Sequence, residues 1–266
     1  KTFAEQAQIG GPILHLGATS MDIEDNAEAL RIKSALSIIQ NRLRTLLSCL
    51  CDRIDEYADL PVIAYTHLQP AEPTTLGYRL SFYAQDLLED YNQLQHAQNH
   101  LRGKGFKGAV GTAAAYMDLI GSENFPAFER ELSRLLGLNF YPATHQTYPR
   151  SQDYHLLSAL AGMGSSLYKM AFDLRILQSA GFGELSEPFG KSQVGSSAMP
   201  FKRNPINAEK IDSLARTLSV MPQVAWQNAG NSLLERTLDA LAGDLAARSA
   251  AGAAMAKSRT ARGLVM

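Results

Sequence analysis

Apolar residues recur every three or four positions over two long stretches of the chain, which is the spacing of a buried helix face. In residues 26–58 the repeating positions are Leu36, Ile39, Leu43, Leu46, Leu50, Ile54 and Tyr57. In residues 152–179 they are Tyr154, Leu157, Leu160, Gly164, Leu167, Ala171 and Leu174. The pattern therefore predicts a long helix over each range.

Three further helices are predicted from proline and glycine residues that mark where helices begin and end. One fits residues 74–101 after Pro73, and one fits 123–137 and ends at Gly137. The third runs from 205 to about 229, and Pro222 within it would introduce a kink. No stretch shows a convincing strand alternation. The predicted fold class is therefore all-α, built as a bundle of long helices.

The helices are long for a single chain of this size. A helix of ~30 residues is ~45 Å long, and several apolar stripes are too wide for one chain to cover. We therefore expect a homo-oligomer that shares the bundle between subunits.

A glycine-rich link, "GKGFKGAVGT" at residues 103–112, separates two of the predicted helices. Its glycines are expected to form a tight bend. Its two lysines, Lys104 and Lys107, are expected to lie in solvent.

Composition excludes several classes of function. The 266 residues carry 25 Lys and Arg against 26 Asp and Glu, which argues against a nucleic-acid-binding face or a polybasic membrane anchor. No signal peptide or apolar run of ~18 residues is visible. Cys49 and Cys51 point to different helix faces and are poorly placed for a disulfide. A cytoplasmic protein is expected.

Three polar loops precede long helices, at residues 15–26, 66–75 and 195–205. A helix start offers unpaired N–H groups and partial positive charge, so each loop is a candidate anion site. In the third loop Asn204 suits the N-cap and Pro205 the first helical position. These loops together could bind a substrate with several carboxylates or phosphates.

Candidate polar groups in these loops also have plainer interpretations. His67 suits proton transfer near neutral pH, but a structural loop histidine is the alternative. Thr19 and Ser20 supply hydroxyl donors, or simply cap a helix. His96 and His100 have a metal-compatible spacing, but no carboxylate completes a triad, so no metal site is predicted.

The segment "GSSAMPFKRNP", residues 195–205, closely resembles the signature G-S-S-x-M-P-x-K-x-N-P of the fumarase/aspartase superfamily. Ala198, Phe201 and Arg203 look most like the adenylosuccinate lyase branch. The segments "HLGATSMDIEDN", "THLQPAEPTTLGYR", "THQTYPRSQD" and "LLERTLD" resemble the same branch in the same order. The resemblance covers about residues 1–239.

The resemblance implies an all-α homotetramer whose active sites each take loops from three chains. It implies β-elimination of fumarate from adenylosuccinate, giving AMP, and from SAICAR, giving AICAR. The implied substrates are small molecules, and no metal or organic cofactor, nucleic acid or membrane is required.

The resemblance also implies roles for individual residues. Ser196 would be the general base and His67 the acid that protonates the departing nitrogen. The implied substrate-binding residues are Thr19, Ser20, Thr66, Gln69, Gln146, Arg150, Lys202, Asn204 and Arg236.

Departures from the family pattern define the expected domains. Residues 1–24 resemble the end of an N-terminal domain, and 25–239 the central bundle. Residues 240–266 form an atypical tail that lacks the family's phosphate ligands. Two alternatives stay open: another fumarate-releasing lyase, such as an argininosuccinate lyase, or a non-catalytic helical scaffold.

Overall fold

The computed structural model of the protein describes residues 2–7, 9–190, 195–199 and 201–235. Its helices are α1 Thr2–Gln6, α2 Ser20–Glu56, α3 Leu76–His100, α4 Ala114–Ile120, α5 Phe125–Leu136, α6 Ser151–Leu177, α7 Ile206–Ser219 and α8 Met221–Gly230, with a short 3-10 helix at Gly11–Ile13. Two strands, β1 Pro61–Thr66 and β2 Gln69–Thr75, form a hairpin. The predicted all-α bundle is confirmed. Arg236 and the tail 240–266 lie outside the described residues.

The core lies between α2, α3, α6, α7 and α8, which pack along one another. Both predicted apolar stripes face it: Leu36, Ile39, Leu43, Leu46 and Leu50 from α2, and Leu157, Leu160, Gly164, Leu167 and Ala171 from α6, are buried. Burial of these side chains supplies the main favourable free energy of the bundle. Among the described residues, no helix is both long and apolar enough to cross a membrane.

Helix α2 begins at Ser20, six residues before the predicted start at 26. Its first two turns bury polar side chains, Asp22, Asp25 and Asn26, ahead of the predicted apolar stripe, which begins at Leu36. The 3.6-residue apolar pattern therefore starts later than the helix itself.

The loop predicted at 66–75 is part of a β-hairpin, which corrects the prediction that the chain has no strand. The strands pair antiparallel from Pro61 with Thr75 to Thr66 with Gln69. The prolines within β2 made this strand unpredictable from the sequence, because proline in a run of residues argues against a strand. The turn residues His67 and Leu68 have φ of 52° and 61°, a left-handed conformation that usually selects glycine or asparagine.

The predicted helix at 205–229 is two helices. α7 ends at Ser219 and α8 starts at Met221, with Pro222 in its first turn. Proline has no N–H to continue the hydrogen-bond ladder of α7, so the chain restarts there. At the other end of α7 the N-cap is Pro205, one residue later than the predicted Asn204.

Stability should depend on the buried stripe of α2. We expect Leu43→Ala, at a position only 2% exposed, to lower the free energy of unfolding by about 2–5 kcal/mol, since it leaves a cavity. Leu135→Ala on α5, at a position 64% exposed, is the matched control and should change little. Urea denaturation followed by circular dichroism measures both, and equal effects would contradict the assignment of the core.

Candidate active site

The first turns of α2 place three polar side chains, Asp22, Asp25 and Asn26, on one buried face. They are spaced three and four residues apart, which brings them side by side. Each binds a different part of the chain. This end of α2 therefore organises the loops that carry several of the predicted site residues.

Asp22 holds the loop 15–20 against the glycine-rich link. Its carboxylate accepts hydrogen bonds from the backbone N–H groups of Thr19 at 3.0 Å, Lys107 at 3.1 Å and Gly108 at 3.1 Å. It also forms an ion pair with Lys104, whose side chain is fully buried. The bend at 103–112 is thus clamped to α2 by one carboxylate.

The prediction that Lys104 and Lys107 lie in solvent is wrong. Both are buried, and Lys107 forms an ion pair with Glu129. Burial lowers the pKa of Lys104, against the opposing charges of Asp22 and Asp25.

Asp25 holds the loop 144–150. It accepts hydrogen bonds from the Tyr148 backbone N–H and from the Arg150 guanidinium, both at 2.8 Å. The guanidinium also lies over the Tyr148 ring, 4.4 Å from its centroid, and the Tyr148 hydroxyl donates to Asp153 at 2.8 Å. Arg150 is therefore built into a buried network of its own chain.

A cavity of about 390 Å³ opens beside this loop, between it and the end of α8. Its lining includes Thr144, His145, Arg150, Asn228 and Ser232. The backbone N–H of Gln146 donates to the Glu235 carbonyl at 3.2 Å. We name Thr19, Ser20, Gln146 and Arg150 the α2-start group, because Asp22 and Asp25 hold the loops that carry them against the first turns of α2.

The hairpin carries Thr66, His67 and Gln69 at its exposed turn. It packs on the chain that follows α6. The Tyr65 hydroxyl donates to Glu184 at 3.1 Å, and Arg79 forms an ion pair with the same carboxylate at 2.5 Å. The hairpin is thereby held beside the segment that leads to residues 195–205.

The signature segment folds back on itself. The Asn204 side-chain amide donates to the Gly195 carbonyl at 3.3 Å, and the Ser196 hydroxyl oxygen accepts from the Met199 N–H at 3.3 Å. A Cβ on residue 195 would overlap the Lys202 carbonyl oxygen, so only glycine fits there. Ser196, Lys202 and Asn204 are thus placed in one compact segment.

The start of α7 is not an open anion site, contrary to the prediction for the third loop. The Glu187 carboxylate accepts hydrogen bonds from the N–H groups of Asn207 at 3.2 Å and Ala208 at 2.7 Å. A carboxylate of the chain itself already occupies the positive end of this helix.

The signature segment lies at the same end of the bundle as the hairpin. Helix α6 starts beside Asp25 and ends at Leu177, which lines one cavity together with Leu50, Tyr57 and Leu185. Residues 195–205 follow from there. We name Thr66, His67, Gln69, Ser196, Lys202 and Asn204 the hairpin-end group.

The two groups lie at opposite ends of α2. This helix has 37 residues, so it is about 55 Å long at 1.5 Å per residue. Within one chain, the described residues of the predicted site therefore form two separate sets. Among the described residues, no hydrogen bond joins His67 to Ser196.

Metal-binding side chains do not gather in the described part of the chain, where no three His, Cys, Asp or Glu residues lie close enough to hold an ion. The rings of His96 and His100 stack with centroids 4.0 Å apart, and both residues are exposed.

Comparison with known proteins identifies the family. A family model described as "Lyase" matches residues 6–219. The chain belongs to this lyase family.

Curated relatives of the chain include adenylosuccinate lyases. It is 41% identical to that of Saccharomyces cerevisiae over 241 residues, and 40% identical to that of Schistosoma mansoni over 242 residues. Both matches cover 90% of this chain and 50% of the relative. The chain therefore spans about half the length of these relatives.

Solved structures share its fold. A 3-carboxy-cis,cis-muconate lactonizing enzyme from Pseudomonas putida gives a TM-score of 0.88 at 26% identity, and a fumarate lyase from Mesorhizobium sp. BNC1 gives 0.85 at 25%. Each match covers 98% of this chain and 57% of the solved chain.

Several organising residues of the protein escaped the sequence analysis, namely Asp22, Asp25 and Glu187, and Lys104 was predicted to lie in solvent. Only the first two carry a usable signal: with Asn26 they form a polar i, i+3, i+4 set at the start of a helix. A lysine between glycines looks like a solvated loop residue until its partner is known.

Removing the partner of Lys104 should strongly destabilise the protein. We expect Asp22→Asn to lower the free energy of unfolding by about 3–5 kcal/mol, since a buried ammonium group loses its counter-charge. Glu131→Gln, which breaks an exposed pair with Arg134, is the control and should leave the urea midpoint unchanged.

The loss should depend on pH in a defined direction. Burial lowers the Lys104 pKa below the 10.5 of the unfolded chain, so in the window below 10.5 the unfolded state binds more protons. Stability then rises with pH. The rise should begin at lower pH in Asp22→Asn, because the pKa of Lys104 falls further when the opposing carboxylate is gone. A flat profile from neutral pH to 10.5, together with a small loss at neutral pH, would contradict the buried ion pair.

Proposed function

We propose that the lyase eliminates fumarate from adenylosuccinate, giving AMP, and from SAICAR, giving AICAR. The observation that carries the proposal is the signature "GSSAMPFKRNP" in a chain 41% identical to an adenylosuccinate lyase. The substrates would be small molecules, and the elimination itself requires no redox or metal chemistry.

In the proposed reaction the Ser196 oxygen takes a proton from the succinyl carbon next to a carboxylate. The electron pair left on that carbon forms the double bond of fumarate as the carbon–nitrogen bond breaks. His67 donates a proton to the departing nitrogen. The carboxylate carries extra negative charge in the transition state as an aci-carboxylate.

Fixed hydrogen-bond donors would stabilise that charge, which is usually the largest single contribution to catalysis. Lys202 and Asn204 supply such donors in the hairpin-end group, and Thr19 and Ser20 supply them in the α2-start group. Gln146, Arg150 and Arg236 would contact the rest of the substrate. Thr66 and Gln69 flank His67 and would orient it.

The separation of the two groups supports a homotetramer with shared sites. Groups at opposite ends of a helix about 55 Å long cannot contact one small substrate, but antiparallel neighbours would bring one chain's hairpin end to another's α2 start. Large apolar side chains on the outside of the bundle, including Tyr78, Phe82 and Trp226, are exposed in the single chain and would be covered by such neighbours.

We propose two further assignments. The first divides the chain into the end of an N-terminal domain at 1–24, a central bundle at 25–239 and a tail at 240–266. The second places the protein in the cytoplasm.

Loss of the proposed base should abolish turnover. We expect Ser196→Ala to lower kcat for adenylosuccinate by about 10²–10⁴-fold, the range for removal of a positioned acid or base. Ser34→Ala, an exposed hydroxyl on α2, is the control and should turn over normally. The decrease in substrate absorbance measures both.

The same assay separates the alternatives. Turnover of argininosuccinate in place of adenylosuccinate would favour the other fumarate-releasing lyases, and turnover of neither would favour a scaffold. Equal rates for Ser196→Ala and Ser34→Ala would refute Ser196 as the base.

A further inference from the structure

The signature segment is fixed to the bundle by one side chain, Gln178, which immediately follows α6. Its amide nitrogen donates to the Arg203 carbonyl at 3.1 Å, and its amide oxygen accepts from the Glu187 N–H at 2.9 Å. One side chain thus binds the backbone on both sides of residues 188–202. Because Gln178 is anchored by the last turn of α6, it fixes the backbone at Glu187 and at Arg203 relative to the bundle.

Glu187 provides a second attachment. It is only 7% exposed, and its two carboxylate oxygens accept from Asn207 and Ala208. These N–H groups belong to the first turn of α7, where no intrahelical acceptor exists. Hydrogen bonds to a charged acceptor at the positive end of a helix are among the stronger ones in proteins. Glu187 therefore fixes where α7 begins.

Lys202 and Asn204 lie between these attachments. Arg203 is held by Gln178 through its carbonyl, and its guanidinium lies 5.3 Å from the centroid of the Phe189 ring. Asn204 closes the segment on Gly195, and α7 starts two residues later. Small shifts at Gln178 or Glu187 would move both side chains together.

We propose that Gln178 and Glu187 are positioning residues for the elimination: they hold the backbone of residues 202–208 so that Lys202 and Asn204 meet the substrate carboxylate. Neither side chain touches reacting atoms. The proposal rests on the proposed function, because it assigns a consequence to the placement of two proposed substrate ligands.

The test compares Gln178→Ala and Glu187→Gln with a matched control, Gln98→Ala. The side-chain amide of Gln98 also makes a tertiary hydrogen bond, donating to the Ser37 hydroxyl at 2.7 Å. This bond joins α2 to α3, away from the signature segment. For the two test variants we expect kcat to fall by about 10–100-fold, with KM changed less than about threefold. Misplaced groups reduce the stabilisation of the transition state more than they reduce the binding of the substrate. Gln98→Ala should keep the wild-type kcat, and Glu187→Asp should retain more activity than Glu187→Gln.

Hydrogen exchange gives a readout that does not depend on turnover. Protection of the Asn207 and Ala208 amides should fall about tenfold in Glu187→Gln, the loss expected for a charge-assisted hydrogen bond. It should be unchanged in Gln98→Ala. If Glu187→Gln does not fold, Gln178→Ala carries the kinetic test alone.

The two proposals fail in different ways. A wild-type chain that does not turn over adenylosuccinate refutes the proposed function and with it the positioning role, whatever hydrogen exchange shows. A wild-type chain that does turn over, with test variants matching Gln98→Ala in kcat, refutes the positioning role alone. Unchanged protection of Asn207 and Ala208 in Glu187→Gln refutes the attachment itself.

Discussion

A continuous helix of 37 residues fixes the distance between the two polar ends of this molecule. One face of helix α2, from Ile32 to Leu50, is buried in the core, where the helix packs mainly against α3. The described candidate site residues are attached near one end or the other. The α2-start group and the hairpin-end group therefore lie at opposite ends of a helix about 55 Å long, and the proposed chemistry requires neighbouring copies of the chain.

Each end is held by carboxylates buried in the protein. At the α2 start, Asp22 and Asp25 face the helix N-terminus, where negative charge is favourable, and bind loops through backbone N–H groups and through Lys104 and Arg150. At the hairpin end, Glu187 does the same for α7. These carboxylates have structural partners within the chain, so they orient the loops around each helix start.

The sequence predicted those features that repeat. The stripes of α2 and α6 extend over many turns, so apolar spacing identifies both helices and their buried faces. It could not predict the start of α2, because residues 20–26 bury polar groups whose partners are 79 to 125 positions away. It could not predict the hairpin either, since Pro70 and Pro73 argue against a strand and the turn lacks glycine. The residues of the proposed site were named from a resemblance, and their division between two ends appears only in three dimensions.

The central claim, that a complete site combines groups from different chains, is tested most directly by mixing two inactive variants. Ser20→Ala removes a donor of the α2-start group, a loss of about 10²-fold or more, and Ser196→Ala removes the proposed base at the hairpin end. When the two are co-expressed, random assembly leaves about one quarter of the sites with both groups intact. The account predicts recovery of about a quarter of the wild-type activity. An activity no higher than that of the separate variants, in an assembled oligomer, would contradict it.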